Sequence, residues 1–481
     1  MKRIIALLLM AVMLLSLAAC GGSGSGNGAG NKIDVNELDN LTQPPQKVST
    51  GYDGSEVTIT FAHTMGAKLQ AVLERGIVEF NKMYPNITIE HSSYGGWKDI
   101  AGLINTEIIG GTQPNIAYCY PDHVATYNKA WATITLDEFI NSQIVVERAD
   151  GTTEAMGLTQ EQIADLQAGG FYAEGAVYGD GLMYTLPMSK STEVLYYNKT
   201  FFEKNNLSVP TNWEEMEALC KAIKDIDPAC IPLGYDSEDN MFITMCEQYG
   251  YDYTSASGDE KFLFNNDNCK TFVKEFREWY QAGYITTEEL FGAYTSGLFT
   301  ELDPTKPHSY MCVGSSGGAS YQIPDNGAFE VGVAPIPQVS NDNKKVISQG
   351  PSLCMLRGTE QENAAAWLFM KYLVTDVAFQ TDFSATSGYM PVLASAQENE
   401  GYKAYLDSAD GYNNLTALVV KVGLEQTDRY FTSPAFVGSS KAREEVGVLL
   451  ANCMSAKTTD VDTMINEAFQ KAYEACKYKA G

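Results

Sequence analysis

The chain has 481 residues, a formal net charge of -27 and 44% hydrophobic residues. The length suits two or more domains and the hydrophobic share suits a folded core. The excess of acid argues against nucleic acid as a partner, because a phosphate backbone is held through clustered Lys and Arg. There is no repeat of solenoid or propeller period. Beyond the leader, no apolar run reaches membrane-spanning length.

In chain order, Lys2 and Arg3 open a leader whose apolar stretch fills residues 4–17 and closes on Leu17-Ala18-Ala19-Cys20. A positive start, a short apolar run and small residues before a cysteine resemble a bacterial lipoprotein signal. The resemblance implies removal of residues 1–19 and a diacylglycerol anchor on Cys20. The mature chain is then expected on the outer face of a cell membrane, as in a Gram-positive cell. Residues 21–30 are almost wholly Gly, Ser, Asn and Ala, a flexible leash. Residues 31–54 stay polar and include Pro44-Pro45, so 20–54 reads as anchor and linker.

Regular structure begins with Val57-Thr58-Ile59-Thr60-Phe61, a β-branched strand pattern. Leu69, Val72, Leu73, Ile77, Phe80 and Met83 recur at helical spacing, with Pro85 just beyond. Residues 86–90 predict a second strand. This β-α-β order predicts a parallel sheet flanked by helices. A helix over 100–109 stops at Gly110-Gly111, and a strand follows at 115–118. Thr211 with Glu214, and Thr359 with Glu362, make capping boxes before two further helices. The class is α/β.

With Cys20 set aside, nine of the ten cysteines remain, an odd number that cannot fully pair within the chain. Most stand in apolar surroundings, such as Leu353-Cys354-Met355, and read as small buried hydrophobes. No C-x-x-C occurs and no histidine has zinc-site spacing from a cysteine. Neither metal nor cofactor is expected.

Several segments resemble extracellular solute-binding protein family 1, the maltose-binding-protein-like receptors of sugar ABC importers. They are Phe80-Asn81-Lys82-Met83-Tyr84-Pro85-Asn86-Ile87, Gly111-Thr112-Gln113-Pro114-Asn115-Ile116 (with Asn for the usual Asp), and Leu195-Tyr196-Tyr197-Asn198-Lys199 after Pro187. Val209-Pro210-Thr211-Asn212-Trp213-Glu214-Glu215-Met216, the run 364–373 and Gly388-Tyr389-Met390-Pro391 follow in the same order. The resemblance covers residue 55 to the C-terminus. It implies a non-catalytic, two-lobed α/β fold of the periplasmic-binding-protein type II, with ligand in a cleft between lobes joined by crossing strands. The implied lobes are 55–187 plus 348–388 and 188–347 plus 389–481. The crossings fall near 186–191, 335–348 and 386–392. The implied partners are a sugar or oligosaccharide, the permease subunits of the importer and, through the lipid, the membrane; the receptor would be a monomer.

A sugar site needs planar side chains and a few fixed polar groups. Tyr120, Asp122 and His123 follow a strand end, where ligands sit in open α/β sheets. The resemblance puts Asp122 and His123 at a charged pair facing sugar hydroxyls, although Asp122 also fits a helix cap. Thr64 and Met65 occupy another strand-to-helix loop, which is equally an ordinary helix start. Tyr94 and Trp97 suit a cleft rim or simple packing. The resemblance places Ser191, in the first crossing, at a sugar hydrogen bond. Tyr235 and Asp236 form a polar-aromatic loop, with Asp236 also fitting a turn. Ser315 and Ser316 lie in the Gly-rich loop where relatives place a stacking Trp; Tyr321 is the substitute candidate. Phe436 resembles a second stacking position.

Gly314-Ser315-Ser316-Gly317-Gly318 also fits G-x-S-x-G, the nucleophile elbow of α/β-hydrolases. That fold needs a histidine after the serine, and all four histidines here precede Ser316. Two alternatives to a sugar receptor remain. One is a secreted glycan-active enzyme with a carboxylate pair. The other is a receptor of the same fold for a non-sugar solute.

Overall fold

The structure, a computed structural model, describes Val48 and residues 51–128 and 131–477. Cys20, the leader and most of the linker lie outside the described residues. The chain divides into Met1–Asn40, which is outside them, and Leu41–Gly481, to which everything below refers.

The β-branched run forms the strand Val57–His63, and the helix Ala67–Met83 returns the chain to Ile87–Ser93, which pairs with it in parallel. The helical spacing buries Val72, Leu73 and Phe80 against the sheet. The helix Trp97–Gly110 ends at Gly111 with φ +70, and Ile116–Cys119 joins Val57–His63 in parallel on its other side. Ser352–Met355 and Thr185–Pro187 complete this five-stranded sheet, Ser352–Met355 running antiparallel to both neighbours.

The second sheet is built on the long strand Ser189–Asn198. Met311–Ser315, Val331–Pro335, Val346–Gln349 and Met390–Pro391 all pair antiparallel to it. Leu233–Tyr235 and Ile285–Thr287 extend it in parallel from Met311–Ser315. Each sheet has its own large apolar core. The chain leaves the first sheet at Met188 and returns through Gly350-Pro351. Gly350 has φ +102, and a Cβ there would lie 2.8 Å from the Ser191 nitrogen. Only glycine fits this crossing without strain.

Two expectations need correction. The chain beyond 389 does not pass directly to the second lobe. Val392, Leu393, Ala396 and Tyr402 pack in the first core, and residues 442–476 fill the second. Gln380 holds the segment back, donating to the Met188 carbonyl at 2.8 Å and accepting from the Val392 N–H at 3.0 Å. The capping box at Thr211 is displaced by one residue. Asn212 caps the helix Trp213–Ile226 by accepting from Glu215 N–H, while Thr211 donates to the Glu215 carboxylate. The box of Thr359 and Glu362 forms reciprocally.

The nine cysteines among the described residues are buried and free. No helix among the described residues is long and apolar enough to cross a membrane.

Candidate functional site

Between the sheets lies a cavity of about 30 Å3, room for one or two waters and too small for a sugar ring. Its first-lobe wall is Tyr120, Pro121 and Asp122. The strand Ile116–Cys119 ends there and Pro121 starts the helix Pro121–Tyr127, which places Asp122 in the first turn. Trp97 stacks on Tyr120, centroids 4.3 Å apart and planes 14° from parallel, and so braces that wall.

The facing wall comes from the helix Ser439–Ser455 and the segment 432–434, with Tyr253 alongside. Arg443 reaches from this helix across to the first lobe. Its Nε donates to Asp122 Oδ2 at 3.3 Å, and its Nη1 to Asp239 Oδ2 at 3.3 Å and Asn240 Oδ1 at 2.7 Å. Burial alone would lower its pKa, but Asp239 and Asp122 outweigh that and raise it. It stays charged.

The floor is the crossing strand. Lys190 is fully buried there, paired with Glu174 of the short 3-10 helix Tyr172–Ala176 and donating to the Gly350 carbonyl at 3.3 Å. Glu174 also accepts from Ser352 Oγ at 2.8 Å and Thr432 Oγ1 at 3.4 Å. A polar chain runs from the cleft into the second lobe. Asn240 and Gln349 exchange amide hydrogen bonds at 2.7 and 3.0 Å, and Asn240 and Tyr235 both bond Glu193. Burial raises the Glu193 carboxyl to about 7, with those hydrogen bonds opposing and Asp239 and Asp236 adding to the rise. Three buried polar atoms of cavity-lining residues have no partner: Asp122 Oδ1, Ser348 Oγ and Ser433 Oγ. Buried polar groups are normally satisfied. All three belong to residues that line the one cavity.

The structure brings Tyr120, Asp122 and, behind them, Trp97 to this site and assigns most other candidates elsewhere. His123 lies behind the wall, its Nδ1 accepting from Tyr120 N–H at 3.4 Å, and burial lowers its pKa, leaving it neutral. Met65 is buried, its N–H on His63 Nδ1, with Thr64 half-buried beside it. Tyr94 donates to Glu107 within its own lobe at 2.7 Å. Ser191 is buried in the crossing strand opposite Gln349.

Tyr235 is wholly buried on Glu193, and Asp236 accepts from the Thr295 N–H and hydroxyl at 2.6 and 2.7 Å, which ties down a loop. Ser315 is exposed and caps its own turn by accepting from Gly317 N–H. Ser316 is fully buried, accepting from Thr192 N–H at 3.3 Å, so no elbow nucleophile is presented. Tyr321 is 74% exposed. Phe436 packs inside the second lobe on Phe262, centroids 5.7 Å apart, with Lys261 over its ring. Phe436 is buried and is not among the residues that line the cavity.

Glu174, Arg443, Ser348, Ser433 and Lys190 are not among the candidates that the sequence offers. The first four stand in no motif quoted for the family. Arg443 carried one usable signal: a cation near the start of the helix that follows Pro434-Ala435-Phe436.

The sequence pattern of bacterial extracellular solute-binding proteins matches residues 77–408, more than half of the chain. The chain belongs to that family. Among curated relatives of this solute-binding protein is the sn-glycerol-3-phosphate-binding periplasmic protein UgpB of Agrobacterium fabrum. It is 24% identical over 246 residues, covering 47% of this chain and 53% of the relative. The chain thus spans about half of that relative's length.

Two solved structures superpose on nearly all of the described fold. The cyclic alpha-maltosyl-1,6-maltose binding protein from Arthrobacter globiformis has TM-score 0.67 and 17% identity, covering 88% of this chain and 100% of that one. UgpB from Mycobacterium tuberculosis in complex with glycerophosphocholine has TM-score 0.68 and 18% identity, covering 88% and 98%. At such identities the likeness establishes the two-lobed α/β fold.

Proposed function

We propose that this solute-binding protein is the receptor of an ABC importer. It takes a sugar or oligosaccharide between its lobes, passes it to a membrane permease, and is held at the outer membrane face by lipid on Cys20. The observation that carries the reading is a cavity between two separately cored lobes whose lining residues Asp122, Ser348 and Ser433 each keep a buried polar atom without a partner. Hydroxyl-rich ligands supply the donors and acceptors such atoms lack. Lobe closure about the crossing strands would be a hinge motion, and a cavity of only about 30 Å3 between the lobes supports a closed form. A second reading, a polyol-phosphate receptor, is favoured by the relatives named for sn-glycerol-3-phosphate.

A thermal-shift screen of mono- and oligosaccharides tests the receptor, because a ligand of the folded state raises apparent stability by mass action. At least one compound should raise the melting temperature and bind unchanged in calorimetry. Turnover of the bound compound would reject the receptor in favour of an enzyme. Cys20→Ala should abolish acylation, and a variant still acylated would remove the anchor from the reading.

A further inference from the structure

Two of the buried thiols face each other. Cys246 lies in the last turn of the helix Glu238–Tyr249 and Cys269 in the first turn of Asp267–Gln281, and their sulfurs are 3.5 Å apart. Both stand on apolar stripes at helical spacing, Phe242 with Cys246 and Cys269 with Phe272 and Phe276. The Phe242 and Phe272 rings meet beside them, centroids 5.1 Å apart. The backbones are fixed as well. Tyr251 N–H donates to the Cys246 carbonyl at 2.8 Å, and Cys269 N–H to Asn266 Oδ1 at 3.0 Å. Packing and caps hold the two sulfurs together, and a bond of about 2.05 Å needs a further approach of only about 1.5 Å.

Other cysteines are placed differently. Cys312 meets Thr295 Oγ1 at 3.3 Å. Cys119 and Cys354 lie on paired strands, but Cys119 stands opposite Ser352 and Cys354 opposite Ala117. Such a diagonal sets residues about 7–8 Å apart, beyond the roughly 4.4–6.8 Å between Cα atoms that a disulfide spans. The family to which the chain belongs is extracellular, and outside the cytoplasm disulfides form and persist.

We propose that Cys246 and Cys269 are a site of oxidative modification: a small disulfide of the glutathione type oxidises them during folding, and the bond staples helix 238–249 to helix 267–281. The inference goes beyond the receptor reading and does not depend on it. One protein thiolate attacks the small disulfide, which forms a mixed disulfide and releases one small thiolate. The second protein thiolate then attacks the mixed disulfide and releases the other. The two protein thiols lose two electrons and two protons, and the small disulfide takes them up as two thiols. Both cysteines are fully buried, and burial raises the Cys246 pKa, so the folded dithiol offers neither access nor thiolate. The reaction belongs to the stage before the second core closes, and the finished fold preserves whichever state it enclosed. The bond secures the helix that carries Asp239 and Asn240, two partners of Arg443.

Refolding the full chain with reduced or with oxidised glutathione tests the site, read by peptide mass spectrometry after free thiols are alkylated. The oxidised sample should contain Cys246 linked to Cys269 and melt several degrees above the reduced one, because a closed loop constrains the unfolded chain. Cys246→Ala and Cys269→Ala should each lose the link and the oxidant-dependent rise, and a cooperative melt in the reduced buffer shows that they fold. Oxidised glutathione added to the folded, reduced chain should link the pair far more slowly than during refolding. Alkylation of both cysteines after oxidising refolding, or a bond from either to a different cysteine as the main product, overturns the site. A linked form that melts no higher than the reduced one, or a rise that survives in Cys246→Ala, overturns the staple. An equal rate in the folded chain overturns the placement of the reaction in folding. In every case the receptor reading stands.

Discussion

Two ion pairs line the same cavity at the lobe junction, and they differ in how far water reaches them. Lys190 and Glu174 are sealed, their side chains 0% and 4% exposed, with Ser352 and the Gly350 carbonyl taking up remaining capacity. Both members belong to the floor, where the lobes stay joined. Arg443 and Asp122 remain 18% and 11% exposed, at 3.3 Å, and belong to facing walls, which on the receptor reading separate when the cleft opens. A pair this deeply buried exchanges poorly with water, even where it borders the cavity. A pair bridging two walls can be broken by motion and rehydrated. On the receptor reading the first fixes the hinge and the second acts as a clasp.

The sharpest way to break this contrast is Lys190→Ala. Leaving the buried Glu174 unpaired should cost about 3–5 kcal/mol, read as a lower urea midpoint. Lys190→Met with Glu174→Leu should recover most of it, because an apolar pair removes the uncompensated charge. A loss below about 1 kcal/mol in the single variant would mean that water reaches the floor.

Glu193 tests the network behind the clasp. Its carboxyl titrates at about 7 against an ordinary 4.5, so between those values the folded chain keeps a proton that the unfolded chain has released. The resulting stability is fully present below 4.5 and lost as pH rises through 7, by roughly 3 kcal/mol. Glu193→Gln should flatten that part of the stability-pH curve. A slope equal to the parent's would place the titration elsewhere.

Arg443→Ala should cost less, about 1–3 kcal/mol, because the lobes can part and water can take over Asp122 and Asp239. Its signature lies in shape: the ligand-free variant should show a larger radius of gyration in small-angle scattering. An unchanged profile would show that other contacts keep the cleft shut.

The order of elements was legible because it is written locally. Val57, Ile59 and Phe61 alternate as a strand must, Val72, Leu73 and Phe80 follow the helical period, and Thr359 with Glu362 forms its box from residues three apart. The site was legible only where it borders such a local pattern, as Tyr120 and Asp122 do at a strand end. Arg443 meets Asp122 across 321 positions of chain and Lys190 meets Glu174 across a crossing. No spacing rule links residues that far apart. Phe436 and Tyr235 show the converse: an aromatic flanked by polar residues looks alike in sequence whether its ring faces a cleft or is buried. Only the packing of Phe262 and the reach of Glu193 separate the two.

The cavity of about 30 Å3 that Arg443 closes has a further consequence. If the shut form is populated without ligand, only the remaining open fraction can bind, and the measured dissociation constant rises by the inverse of that fraction. Every 1.4 kcal/mol by which the clasp favours the shut, empty form weakens observed affinity about tenfold, with no ligand contact altered. Salt screens charges that water can reach more than charges sealed away, so ionic strength acts on the clasp and spares the floor. Affinity in this chain is then a property of its surroundings as well as of its site.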